Sequence, residues 1–483
     1  MPRFHRPLLS LGAFLAGLSL VLPAHAQSYT HYWSHQFGRE GILLAGSVLA
    51  GTEDNTTVIY NPAALAFTKG QGLALSFLSA GIANLKLKDG LGEGLDIKAS
   101  SLFILPKFLA YDLPVLKKNP GKMVFVLYHQ DFPSMNQAFR DAYIPESDPG
   151  VIRVTNFDLD KDVSEVWGGL AYAYPLSNEW AAGVSLLFPF RAQSYYLQLS
   201  IDEMDAADNQ KALALNSLGY RLNYSVFSVT SKLGLAYRPA WNPSLRLGLT
   251  FATPSLFYMF NSGHYEYQIL YTRDADPDNP EFFQIENKQT DARAVYKYPM
   301  SLGLGLQYTF GDLSLSASVE HFFRINPYAV MEDNPDPYNG HLPDATIPNF
   351  PLMTKSETIT NFAIGATYRL REGLELLGGF QTDHNFYGSP LPNQPIQLFN
   401  SGWDQYHISL GTSLLVNRNE ISIGLRYSFS FQNDVYGIGH IDEGDNGIFD
   451  LLERNQTADV RFNAFALAFT YNFFREILPS TRE

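Results

Sequence analysis

From about residue 70 onward the chain is written in period two, with large apolar side chains on one face of each segment and small or polar ones on the other. Near its end Phe465, Leu467, Phe469, Tyr471 and Phe473 alternate with Ala464, Ala466, Ala468, Thr470 and Asn472. Leu302, Leu304, Leu306, Tyr308 and Phe310 alternate likewise with Ser301, Gly303, Gly305, Gln307 and Thr309, and Ile421, Ile423 and Leu425 with Ser422, Gly424 and Arg426. Such alternation marks strands whose two faces meet different surroundings. In a soluble sandwich the apolar rows meet in a dry centre and the wet rows carry Lys and Glu. Here the second rows are mostly Gly, Ala, Ser and Thr, which suits a crowded or polar interior with lipid outside. Composition agrees, with 14% aromatic and only 17% charged residues.

Turn signals divide the pattern into fourteen strands, near 70–87, 96–111, 122–143, 151–176, 179–202, 215–239, 244–272, 282–310, 313–332, 354–371, 374–387, 403–418, 419–436 and 459–474. Tight connections such as Gly311-Asp312, Arg371-Glu372-Gly373 and 417–420 alternate with long polar loops. An even strand number and alternating short and long connections predict an all-β fold, a 14-stranded antiparallel transmembrane β-barrel. A soluble periplasmic β-protein is the competing reading of the same alternation.

The first 26 residues read as a signal peptide, with Arg3 and Arg6 before an apolar run from Leu8 to Leu22 and a small-residue site at Ala24-His25-Ala26. That run falls short of the roughly 20 residues a spanning helix needs, and no longer one follows. The expected divisions are 1–26 signal peptide, 27–69 N-terminal plug, 70–474 barrel and 475–483 tail. A formal net charge of −14 with no Lys/Arg-rich run argues against nucleic acid. The absence of Cys excludes disulfides, thiolate metal sites and cysteine nucleophiles. Gly-x-Ser-x-Gly, His-Glu-x-x-His and the phosphate-binding Gly-x-x-x-x-Gly-Lys are all missing, so no enzyme is expected.

Residues 28–69 break the alternation. They hold a small-residue run from Gly41 to Gly51, then Glu53-Asp54-Asn55 and Tyr60-Asn61-Pro62-Ala63-Ala64-Leu65. A fourteen-stranded barrel is too wide for its own side chains to fill. Inward positions such as Gly183, Ser185, Gly248, Gly303, Gly305, Ser316, Gly365, Gly379, Gly411 and Gly424 are small, many of them toward the tight turns, and leave room for this segment. With Phe37-Gly38-Arg39-Glu40-Gly41, these residues resemble the plug, or hatch, of the FadL/TodX family of long-chain fatty acid and hydrocarbon transporters.

The resemblance implies a porin-like lipid transport protein of the bacterial outer membrane that passes hydrophobic compounds, above all long-chain fatty acids, by diffusion. It implies a plug motif at Asp54, Asn61, Pro62 and Ala63, and a lateral opening where the third strand kinks. Pro133 lies in that strand and cannot donate a ladder hydrogen bond; the other reading is that it ends the strand at the external rim. A family relative similar to the PorV subunit of a secretion system is the alternative, a barrel whose external loops bind a protein partner.

A fatty acid carboxylate needs a cation inside the barrel, because an unpaired buried charge is costly. Period two places Arg191, Arg293, Lys297, Arg324, Arg426 and Glu320 on inward faces. Arg191, Arg293 and Lys297, beside Phe188 and Tyr195, are the candidate ligand-binding set; the competing reading pairs the inward cations with lumen carboxylates or with the plug. The loop from Asp442 to Glu453 spaces Asp442, Asn446, Asp450 and Glu453 at positions 1, 5, 9 and 12, close to a calcium loop with Gly444 in place of the third ligand. Beyond that Ca2+ site no cofactor is expected. The expected partners are a hydrophobic small molecule and outer-membrane lipid.

Overall fold

A computed structural model describes residues 30–68, 71–77, 80–88, 96–104, 107–115, 120–144, 149–208, 211–273, 281–331, 352–389, 391, 402–436 and 457–474. The expected signal peptide at 1–26, the expected tail at 475–483 and the calcium loop candidates Asp442, Asn446, Asp450 and Glu453 lie outside these residues.

After helices α1 (Gly38–Leu43) and α2 (Thr57–Tyr60) and a 3₁₀ turn over Pro62–Phe67, the described chain is strand and turn. The strands are β1 (Gln71–Phe77), β2 (Ala80–Lys88), β3 (Ile97–Ile104), β4 (Lys107–Leu113), β5 (Lys122–Tyr143), β6 (Val151–Pro175), β7 (Trp180–Asp205), β8 (Ala212–Tyr237), β9 (Leu245–Ala252) and β10 (Phe257–Arg273). They continue as β11 (Glu281–Ala292), β12 (Ser301–Phe310), β13 (Leu313–Phe322), β14 (Ile325–Met331), β15 (Leu352–Ser356), β16 (Ile359–Arg371), β17 (Leu374–Asp383), β18 (Gln405–Val416), β19 (Asn419–Tyr436) and β20 (Thr457–Phe474).

Four wall positions are each built from two segments, namely β1 with β2, β3 with β4, β9 with β10 and β11 with β12. The wall thus has fourteen antiparallel strands, and it closes where both β1 and β2 pair with β20. The β9–β10 break falls at Pro254, which has no N–H for the ladder. β14 and β15 pair only loosely with each other, apart from the wall, with Ala294 bridging Met331. The sequence reading had merged β14 into its ninth strand and β15 into its tenth. Gly311, Gly373 and Asn417 turn the tight hairpins with φ of +59°, +75° and +56°.

The alternation is realised with the apolar rows outward. Leu302, Leu304 and Leu306, Ile421, Ile423 and Leu425, and Phe465, Leu467 and Phe469 are exposed, while the Ser, Gly and Ala residues between them are buried. The rows do not meet in a dry centre, and a soluble sandwich is ruled out. A separate apolar cluster fills the interior farther from the tight turns, around Phe157, Leu159, Tyr195, Leu218, Tyr220, Leu222, Val330 and Met331.

On β5 two residues, Pro133 and Ser134, stand opposite the single Asp162 of β6, because Phe132 pairs with Val163 and Met135 with Lys161. Pro133 therefore sits in a β-bulge inside the strand rather than at its end. Below the bulge Val124, Val126 and Tyr128 are buried; above it Ala138, Arg140, Ala142 and Ile144 are exposed.

Candidate functional site

Residues 30–68 lie against the inner face of the wall. A Cβ on Gly248 would stand 1.9 Å from the Leu49 carbonyl oxygen, one on Gly305 2.2 Å from the Ala50 nitrogen, and one on Gly379 2.4 Å from the Leu44 carbonyl carbon. Backbone meets backbone here, which only an inward glycine permits. The same holds at Gly183 against Pro62 and Ala63, so contact runs round the wall from β7 through β17.

Polar side chains pin the segment. The Asn61 side chain donates to the Leu49 (2.9 Å) and Leu235 (3.2 Å) carbonyls and accepts from the Ala63 amide (3.2 Å). Pro62 opens the 3₁₀ turn, where a missing N–H costs nothing. The Asp54 carboxylate accepts from the Thr56 amide (2.9 Å) and from the Thr52 hydroxyl (3.1 Å). Arg39 is buried and bonds to Glu40, to Glu420 and, at 3.1 Å, to Glu375. Burial pushes the Glu40 carboxyl up to about 7, against the pull of Arg39.

One level farther from the tight turns the wall stands off and leaves a cavity of about 200 Å³. Its rings form a chain, with centroid separations of 4.9 Å from Phe37 to Tyr128, 5.6 Å from Tyr128 to Trp167, 4.9 Å from Trp167 to Tyr298 and 5.3 Å from Tyr298 to Tyr296. Trp33, Tyr32 and Phe322 close the far side. Two buried carboxylates face this cavity, and each takes an indole N–H at 2.8 Å, Glu165 from Trp167 and Glu320 from Trp33. Arg191 lies 2.5 Å from Glu165, and Lys232 lies 3.3 Å from Glu320.

The cavity also touches Tyr128 and Gln130 of β5. The ladder between β4 and β5 ends at the pair Lys107 and His129. Among the described ladders, β5 beyond that point is paired only with β6, and the Pro133 bulge follows within a few residues. The aromatic cavity thus abuts a stretch of β5 for which the described ladders give one neighbour, β6.

The structure redistributes the residues singled out from sequence. Arg191 and Tyr195 are buried on the inner face, Arg191 with its guanidinium carbon 3.8 Å above the Tyr296 ring and Tyr195 edge-on to Tyr220. Arg293 is exposed, not lumenal, because the chain leaves the ladder after Ala292 and period two no longer applies. Lys297 is half-buried with its ammonium 4.4 Å from the Tyr328 ring centre, outside the cavity lining. Phe188 shares the outward parity of Phe190 and stacks on Phe227, so it is not a cavity residue. Arg324 is exposed, 3.9 Å from Glu357, while Arg426 is buried and donates to the Ser34 carbonyl at 2.7 Å. Sequence reasoning missed Glu165, Trp167, Lys232 and Trp33. The Glu165–Arg191 pair was within reach, since the hairpin at 176–179 sets them directly opposite.

No family model and no curated protein matches the chain. Solved structures do. The toluene transporter TodX of Pseudomonas putida superposes with a TM-score of 0.59 at 13% identity, over 92% of this chain and 100% of that one. A FadL homologue from Pseudomonas aeruginosa gives 0.56 at 14% identity, over 94% and 99%. At this identity the likeness establishes the fold, a FadL-type barrel over nearly the whole chain.

Proposed function

We propose that the protein is a channel of the bacterial outer membrane through which small hydrophobic molecules pass by diffusion, with residues 30–68 as its plug. The observation that carries this is the aromatic cavity beside the stretch of β5 that, in the described ladders, pairs with β6 alone and bulges at Pro133. A molecule held among Tyr128, Trp167 and Tyr298 lies against that stretch of wall, which offers a way out that does not pass the plug. The outward Leu, Ile and Phe rows support a lipid environment for that exit, and TodX and the FadL homologue support transport as the use of the fold. Each buried methylene adds about 0.8 kcal/mol, so hydrocarbon length alone drives capture. A PorV-like platform has no use for a cavity that ends at the wall, which favours the channel.

The test is uptake of labelled toluene and of a labelled long-chain fatty acid by cells with and without the protein, with membrane fractionation of the expressed chain. Faster uptake of at least one compound is expected. Recovery in the soluble fraction, or equal uptake of both, overturns the reading.

A further inference from the structure

We propose that the cavity admits neutral hydrophobic molecules and turns away free carboxylates, with Glu320 and Glu165 as the residues that set this preference. The inference rests on the channel reading above and names the substrate class of that same site. A carboxylate leaving water needs a cation that is not already spoken for. Lys232 is the Lys/Arg cation among the lining residues, and Glu320 takes it at 3.3 Å. Glu320 is held in turn by the Ser301 hydroxyl at 2.7 Å and the Trp33 indole at 2.8 Å, so it is anchored where it cancels the ammonium.

Arg191 does no better for an arriving anion. It sits behind Tyr296, 2.5 Å from Glu165, and its remaining donors reach the Tyr224 hydroxyl at 3.1 Å and Gln193 at 3.0 Å. Two cations are matched by two carboxylates, but both carboxylates line the cavity and only one cation does. A carboxylate placed there meets like charge first. A neutral molecule meets ring faces and edges, which reward apolar and aromatic groups without demanding a counter-ion.

The test uses the full chain in detergent micelles at about pH 8. Displacement of a bound fluorescent hydrophobe by 1-decanol and by decanoate gives a ratio of apparent affinities. Glu320→Gln frees Lys232 and Glu165→Gln frees Arg191, and each is expected to shift the ratio toward decanoate by at least about tenfold. The double variant Lys232→Met with Glu320→Gln removes both charges and is expected to give no such shift. Heat-dependent gel mobility confirms that each variant is folded. A ratio that neither single variant moves, or a double variant that behaves like Glu320→Gln, overturns the selectivity while leaving the channel standing. Failure of 1-decanol to displace the probe overturns the channel reading and the selectivity together.

Discussion

The same strands treat the N-terminal segment in two ways at two successive levels. On β9 the inward residue is Gly248 near the tight turn and Ala252 one level up; on β7 it is Gly183 and then Leu187; on β12 it is Gly305 and then Ser301. At the lower level the missing side chains let wall and segment touch backbone to backbone. At the upper level aromatic and charged side chains hold the two apart and enclose space. Side-chain size along one inward row thus decides whether the interior is sealed or hollow.

The contrast can be broken most strongly at Arg39. Arg39→Met leaves the buried carboxylates of Glu40 and Glu420, and the half-buried one of Glu375, without the cation they share, and a loss of about 3–5 kcal/mol of segment docking is expected. Trypsin access to residues 30–68 and ion conductance in planar bilayers should both rise. Next in size is Gly248→Ala, whose new methyl runs into the Leu49 carbonyl and the Asn61 side-chain amide. Overpacking of this kind costs about 1–3 kcal/mol. Ala252→Val on the same strand should cost less and instead shrink the cavity, read as weaker probe binding with an intact protease pattern. Equal costs at the two levels would remove the distinction.

Acidity sharpens the comparison from the lower side. Burial raises the Glu40 carboxyl from its ordinary 4.5 to about 7, so the docked segment prefers the protonated acid. That contribution is fully present below 4.5 and is lost as pH rises through 7. Protease protection of the segment should fall across this window, and Glu40→Gln should flatten the profile. The smallest effect is expected at Leu187→Ala, which removes a cavity-lining side chain and should raise uptake of bulkier hydrophobes relative to toluene by about two- to threefold.

Strand identity and facing were legible because period two is local: Leu304 and Gly305 declare their faces within a few residues. The inner position of residues 30–68 was legible as well, since a row of glycines with no side chain to pack demands something opposite. The broken wall strands were not read, although Pro254 and Pro299 stand in 253–256 and 293–300, because the alternation resumes on the far side of each break. That is why Arg293 was assigned inward. Lys232 and Glu320 meet across two intervening strands, β9 and β12, 88 residues apart in the chain, so no local pattern could join them.

The two unpaired residues on β5 act like a dislocation in a crystal row. Every residue beyond them is shifted by half a repeat, so even-numbered positions point inward at Tyr128 and outward at Arg140. Deleting one of the pair would mend the ladder to β6 and in the same stroke turn the upper third strand inside out. The defect is thus locked in by the facing of everything above it, and a chain of this fold can move it along the strand only by rewriting every residue it passes.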